Sequence, residues 1–303
     1  MRVIAVDIGT NSTLYLISDE DDAESSMVER GIVANKLGAK IDESGTLSQE
    51  VIDYNLNILK EIKQKAAVAG CSRIGAVGTQ ALRTASNSFI LLRKAAESGI
   101  PVKIISEKEE ALLAWNGVFG KKTGNVKVGL LDIGGGSSEL SVGESDQPDW
   151  TNSIPVGAVS LSRRFFRDDP PSENQVQKAY SYISGAFESW HDKVGSEFSL
   201  FGIAGTVTAL KAIDMRISSY IPGCLEGLVL KDDRVKYFTD QLLKLDCSDR
   251  ERVPGMPPAR AASIHAGAMI LKVVMEIIGK REIIVSEKGV MFGLARLLAA
   301  GEF

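Results

Sequence analysis

The sequence predicts an α/β protein built by duplication, and three observations carry that expectation. Val6-Asp7-Ile8-Gly9-Thr10-Asn11-Ser12-Thr13 and Leu131-Asp132-Ile133-Gly134-Gly135-Gly136-Ser137-Ser138 each run an aspartate out of a short apolar stretch into a Gly/Ser/Thr turn, with Asp132 following Asp7 by 125 positions. Gly75-Ala76-Val77-Gly78-Thr79 and Gly202-Ile203-Ala204-Gly205-Thr206 share a Gly-x-x-Gly-Thr pattern at an offset of 127, in the same order. Strand-like runs also alternate with helical ones after an opening set of consecutive strands, which is α/β patterning.

Taken in order, residues 2–7 and 13–18 read as strands joined by the first glycine turn, and a third strand falls within 27–37. Residues 42–48 are turn chemistry. Over 49–69, Val51, Ile52, Leu56, Ile58, Leu59 and Ile62 recur at near-helical spacing, and Gly70 supplies the stop. A strand at 74–77, a helix at 87–98 and a strand at 102–105 follow. Ser106 with Glu109 three residues on forms a capping box for a helix to about Val118. Residues 121–125, polar and glycine-containing, are the expected boundary. The second half repeats the plan: strands at 126–132, 137–143 and 149–156, a long helix over 173–194 and a strand at 198–203. Pro254, Pro257 and Pro258 precede an apolar helix over 259–278, then a strand at 282–285 and a last helix at 289–300.

Composition bounds the function. A chain of 303 residues, 44% hydrophobic and 24% charged, is that of an ordinary globular protein with material for one large or two medium cores. Cys71, Cys224 and Cys247 are far apart and form no CxxC pair, which argues against a disulfide framework and a zinc knuckle. His191 and His265 are the only histidines, too few for a histidine-rich metal centre, and are read as structural. A net charge of −4 argues against a general nucleic-acid surface but leaves an anionic substrate open, since binding depends on local charge. With no signal-like segment or spanning apolar run, the expectation is a cytoplasmic protein without a membrane partner.

The repeated turn suits phosphate. The strand carries an aspartate to its end, glycines let backbone N–H groups crowd an anion, and Ser/Thr hydroxyls add donors. Two such turns facing one another across a cleft would hold a phosphoryl group from both sides.

The motifs VDIGTNST, GTQALRTASN, ISEKEEA, LDIGGGSSEL, GIAGT and VSEKGVMFG, in this order from Val3 to about Leu298, resemble the exopolyphosphatase and guanosine pentaphosphate phosphohydrolase (Ppx/GppA) family. The resemblance implies the actin-like ATPase fold of sugar kinases, Hsp70 and actin: two RNase H-like domains around an interdomain cleft. These would be residues 1–122 and 123–288, with a C-terminal helix over 289–303 packing back on the first. It also implies a short two-domain form, since longer members carry further helical domains beyond the point where this chain ends. Carried over residue by residue, the catalytic carboxylate falls on Glu110, with Glu139 a supporting acid. The helix alone does not separate Glu110 from Glu109, whose side chains point about 100° apart; the resemblance selects Glu110. Asp132, and with it Asp7, are implied ligands of Mg²⁺ or another divalent cation. The implied phosphate contacts are Gly9, Thr10, Asn11, Ser12, Thr79, Arg83, Gly134, Gly135, Gly136, Ser137, Ser138, Gly205 and Thr206. Arg163, Arg164 and Arg167 form a basic group that either tracks a polyanion or is a solvated helix face.

Two positions depart from the family pattern: Glu107 stands where glycine is common, and Met291 where arginine is usual. The expected activity is release of orthophosphate from the end of inorganic polyphosphate, with short chains preferred. The alternative within the family is guanosine pentaphosphate hydrolysis. Outside it stand an ATP-dependent kinase of the same fold and a weakly catalytic polyphosphate or alarmone sensor. A homodimer is left open.

Overall fold

The computed structural model describes residues 1–20, 25–40, 45–120, 126–144, 146–195 and 197–303. The boundary expected at 121–125 and the first part of the 42–48 turn lie outside the described residues. The chain divides into two compact units, Met1–Gly120 with Lys288–Phe303, and Lys121–Glu287.

The first unit runs β1 (Arg2–Ile8), β2 (Ser12–Glu20), β3 (Ser25–Ala34), α1 (Leu37–Lys40), α2 (Gln49–Val68), β4 (Arg73–Gly78), α3 (Gln80–Thr84), α4 (Ser88–Glu97), β5 (Val102–Ile104) and α5 (Glu107–Phe119). Its sheet has the order β3-β2-β1-β4-β5, with β2 antiparallel to both neighbours and β4 and β5 parallel to β1. Ile4, Val6 and Ile8 pack with Ile52, Leu59 and Ile62 of α2 and Leu91 of α4. Strand alternation therefore sends Val3, Ala5 and Asp7 to the opposite face. The helix Val290–Ala300 packs on that side of the sheet and against α5. The crossing is tight: a Cβ on Gly293 would lie 2.0 Å from the Leu113 carbonyl oxygen of α5. Asp7 thus ends its strand on the side where α5 carries Glu110.

The second unit runs β6 (Val128–Ile133), β7 (Ser138–Gly143), β8 (Trp150–Ile154), α6 (Ala158–Phe165), α7 (Glu173–Phe187), α8 (Ser189–Val194), β9 (Ser199–Ile203), α9 (Ala204–Asp214), β10 (Val229–Lys231), α10 (Asp232–Leu242), α11 (Cys247–Glu251), a 3₁₀ turn (Pro258–Arg260), α12 (Ile264–Ile277) and β11 (Glu282–Val285); Val290–Ala300 is then α13. The sheet order is β10-β11-β9-β6-β7-β8. From β8 inward this repeats the first sheet, with β7 antiparallel to β6 and β8, and β9 and β11 parallel to β6. Each half has its own apolar core. Two RNase H-like α/β units of this topology make the actin-like ATPase fold.

The repeat is not letter-for-letter. Asp7 pairs with Val77 and Asp132 with Ile203, a partner offset of 126 rather than 125. The threonines of the second motif stand 127 apart, so the second half gains one more residue just after β9. Ala204 sits there with a φ of 64°, the left-handed region.

Two of the expected helices change. The helix over 173–194 is two helices: the turn tightens at Glu188, with the His191 amide donating to its carbonyl at 3.2 Å. That break brings Phe187 and Trp190 together in the core, ring centroids 4.7 Å apart. The helix over 259–278 begins only at Ile264, because 258–260 form a 3₁₀ turn after the prolines. Helix α6 had no assigned bounds in the sequence; it carries Arg163 and Arg164 in its last turn and buries only Ala158 and Leu161. Among the described residues no helix is long and apolar enough to cross a membrane.

Candidate active site

The two glycine turns are built alike. In the first, the Gly9 amide donates to the Ser12 carbonyl at 3.0 Å; in the second, Gly134 donates to Ser137 at 3.0 Å. Every other carbonyl of the turns is taken as well. Gly9 O, Thr10 O and Asn11 O accept from Asn35 Nδ2, the Gly38 amide and the Asn35 amide. Gly134 O, Gly135 O and Gly136 O accept from Ala158, from Val159 and Ser160, and from Ser160 Oγ. By contrast the amides of Thr10, Asn11, Gly135 and Gly136 donate to no other described residue. Tied acceptors and spare donors are the composition of an anion nest.

The expected phosphate contacts divide accordingly. The amides of Gly9 and Gly134 close their turns and have no spare N–H. Ser138 is fully buried and donates Oγ to Val156 O at 2.7 Å, so it joins β7 to the end of β8 rather than facing a ligand. Thr79 Oγ1 donates to Ile8 O at 3.5 Å and Thr206 Oγ1 to Ile133 O at 3.3 Å. Both distances lie beyond the usual reach of a hydroxyl hydrogen bond, so these contacts turn the two hydroxyls toward the strand ends without committing their protons. Ser12 and Ser137 are nearly buried in their turns.

In the first unit, Asp7, Arg83 and Glu110 come together. Ser48, Ser106 and Asp246 cap α2, α5 and α11 by accepting an amide proton. At α5 the partner acid is Glu109, which accepts from the Ser106 amide at 2.8 Å and from Lys103 at 3.0 Å. These bonds, the Ser106 amide's first, hold the Glu109 carboxyl down to about 2. Glu110 points elsewhere: its Oε2 accepts from Arg83 Nη1 at 2.8 Å, with the two side chains 16% and 17% exposed. Burial raises the Glu110 carboxyl above its ordinary value, against the opposing pull of Arg83. Geometry thus separates two acids that helix periodicity leaves equivalent. Arg83 Nη1 also donates to Ile105 O at 2.8 Å, while its Nη2 is buried without a partner. Asp7 Oδ1 is likewise buried and unpartnered. Burial, and secondarily the Glu110 carboxylate, push Asp7 up to about 8.

In the second unit, Asp132 and Glu139 stand directly opposite one another on β6 and β7. Their counterparts in the first unit are Asp7 and Leu14. Glu139 is nearly buried and accepts from Ser153 Oγ at 2.8 Å. Opposite positions on one sheet face set the two acids side by side, an oxygen-only donor pair of a kind that would suit a hard divalent cation. Among the described residues no group of three or more His, Cys, Asp or Glu could hold a metal ion.

Arg260 escaped the sequence reading. Its guanidinium lies over Gly205, where a Cβ would sit 2.0 Å from Cζ, and it feels the Asp132 carboxylate. Burial depresses its pKa, opposed by Asp132. A shielded arginine beside a glycine loop and an aspartate is a natural phosphate ligand. No local signal marked it: Arg260 ends the turn Pro258–Arg260 and lies far in sequence from both Gly205 and Asp132.

The remaining candidates are placed elsewhere. Arg164 donates to Tyr182 OH at 2.9 Å and stacks on its ring, a local surface contact. His265 is buried against Phe166, and burial holds it down to about 3, so it stays neutral; His191 bonds Ile277 O at 2.8 Å. Met291 is a buried core residue of α13. Glu107 occupies the first turn of α5.

These features define an α/β protein of duplicated RNase H-like architecture carrying matched glycine turns and clustered carboxylates. The profile of the Ppx/GppA phosphatase family matches residues 16–296, and the chain belongs to that family of phosphoanhydride hydrolases. It is 28% identical over 305 residues to a bifunctional 3-dehydroquinate synthase/phosphatase of Fusobacterium nucleatum, covering 95% of this chain but 45% of that protein. It is 26% identical to exopolyphosphatase 2 of Mycobacterium tuberculosis over 98% of both chains. With the guanosine-5'-triphosphate,3'-diphosphate pyrophosphatase of Vibrio vulnificus it shares 28% identity, over 90% of this chain and 54% of that one. The chain thus spans about half the length of two of these relatives. A crystal structure of the Aquifex aeolicus Ppx/GppA member superposes with a TM-score of 0.86 at 28% identity, over 100% of this chain and 99% of that one.

Proposed function

We propose that the protein hydrolyses the terminal phosphoanhydride of inorganic polyphosphate and releases orthophosphate. The observation that carries this reading is the pair of glycine turns with occupied carbonyls and unclaimed amides. Likeness along the full length of an exopolyphosphatase supports the substrate class. Guanosine pentaphosphate is the second reading, favoured by the comparable identity to the Vibrio enzyme.

In this reading the amides of Thr10, Asn11, Gly135 and Gly136 meet phosphate oxygens, as do Arg83 Nη2 and Arg260. Glu110 takes the proton of the attacking water; a carboxylate made more basic by burial is suited to that task. Asp132 and Glu139 would hold a divalent cation, most simply Mg²⁺, which supplies Lewis-acid offset of phosphate charge. Asp7, protonated more readily than an ordinary carboxyl, sits beside Glu110 as a neutral neighbour or, when ionised, as a further ligand.

Orthophosphate release from tripolyphosphate, long polyphosphate and guanosine pentaphosphate tests the assignment. Release from polyphosphate that stops with EDTA and returns with Mg²⁺ is expected. Faster turnover of guanosine pentaphosphate would select the second reading. Tight binding without any release would make the protein a sensor and overturn hydrolysis.

A further inference from the structure

We propose that Asn35 and Ser160 are positioning residues that set the phosphate grip of the two turns, an inference resting on the reading of those turns as phosphate sites. In the first unit the chain leaves β3 at Ala34. Asn35 then donates its amide to Asn11 O at 3.1 Å and Nδ2 to Gly9 O at 2.8 Å, and Gly38 donates to Thr10 O at 2.7 Å. In the second unit the chain leaves β8 at Ile154. Ala158 donates to Gly134 O at 2.9 Å, Val159 and Ser160 to Gly135 O at 2.8 and 3.0 Å, and Ser160 Oγ to Gly136 O at 3.0 Å. Strands β3 and β8 are topological counterparts, so one device is built twice. Nothing in the letters reveals it, because Asn35-Lys36-Leu37-Gly38 and Gly157-Ala158-Val159-Ser160 share no pattern.

Each brace also presses a glycine against its turn. A Cβ on Gly38 would lie 2.2 Å from Thr10 Cγ2, and one on Gly157 would lie 2.6 Å from Gly135 C and Gly136 N. The physical role follows from the peptide dipole. A loose peptide unit in a glycine turn can rotate and present its oxygen where its N–H had been, converting attraction for an anion into repulsion. Tying each carbonyl from behind fixes the peptide planes and leaves the amides for the ligand. Asn35 is fully buried and its orientation is set from both sides, since Oδ1 accepts from the Leu37 amide at 3.1 Å. Its carbonyl accepts from Asn55 Nδ2 at 3.1 Å. Lys36 beside it takes a φ of 61°, a conformation uncommon for a lysine that this bonding holds in place.

Ser160→Ala removes the donor to Gly136 O and also the acceptor of the Gly157 amide at 2.9 Å that caps α6, whereas Ser160→Thr keeps both. Titration calorimetry with inorganic orthophosphate and tripolyphosphate, in Mg²⁺ buffer, reads the grip directly. Loss of one hydrogen bond's worth of ordering should weaken both anions, and raise KM for tripolyphosphate, by about 3–10-fold. kcat should move little, the melting temperature should stay within a few degrees, and Ser160→Thr should restore affinity. Asn35→Asp, which sets a carboxylate oxygen against Gly9 O, should act in the same direction if it folds; Ser160 carries the test if it does not. A folded Ser160→Ala protein with wild-type affinity, or one that loses only stability, overturns the brace. Wild-type protein that binds neither anion would instead overturn the phosphate reading of the turns, and the brace with it.

Discussion

Replacing Glu110 by glutamine tests the central chemical assignment with little structural disturbance. Glutamine keeps an oxygen to accept the 2.8 Å bond from Arg83 Nη1, so the arginine stays anchored between α5 and Ile105 O. The protein also loses a carboxylate whose charged form burial disfavours, since Glu110 sits above its ordinary pKa even with Arg83 beside it. The variant should therefore be as stable as the wild type, or slightly more so, at pH 8. Turnover should behave differently: removing a general base costs about 10²–10⁴-fold. Steady-state phosphate release should show that loss in kcat with KM within a few-fold, and calorimetry should show unchanged or raised melting. Glu109→Gln is the control on the same helix turn. It weakens a cap fed by Ser106 and Lys103, worth about 0.5–2 kcal/mol at an N-terminus, and should leave turnover alone. Folded Glu110→Gln with wild-type kcat, or Glu109→Gln with the larger kinetic loss, would refute the reasoning.

Two further outcomes follow from buried charge. Asp7 has a folded pKa of about 8, above the ~3.9 of an unfolded aspartate. The native state therefore holds this proton more tightly; the contribution is complete below about pH 4 and is lost as pH rises through 8. In EDTA, Asp7→Asn should melt above the wild type at pH 8–9 by an amount on the order of 1–3 kcal/mol, discounted for partial exposure, and the gap should close toward pH 4. An advantage independent of pH would contradict this. Arg260→Met removes a shielded cation whose charge burial already disfavours. Ligand-free stability by denaturant titration should hold or rise, while tripolyphosphate KM rises by about 10–100-fold, as expected for a charge-assisted bond worth about 1.5–3 kcal/mol. Lower stability with unchanged KM would make Arg260 a structural residue.

The local sequence determined a good deal about this protein. The aspartate-to-glycine turns, the capping box at Ser106 and Glu109, and most strand and helix positions were legible because each depends on neighbours within a few residues. Duplication was legible too, since the spacing of two motifs survives in both sheets. Other features depend on residues distant in sequence. Which of Glu109 and Glu110 enters the cluster was decided by Arg83 on α3; that Ser138 spends its proton on the Val156 carbonyl was decided where the chain leaves β8. Arg260 reaches Gly205 across 55 positions, and the braces at 35–38 and 157–160 hold their turns without a shared motif. Periodicity and turn preference act through the adjacent chain, whereas desolvation, ion pairing and the occupation of a carbonyl depend on what folding brings into contact; only the tertiary structure could decide those.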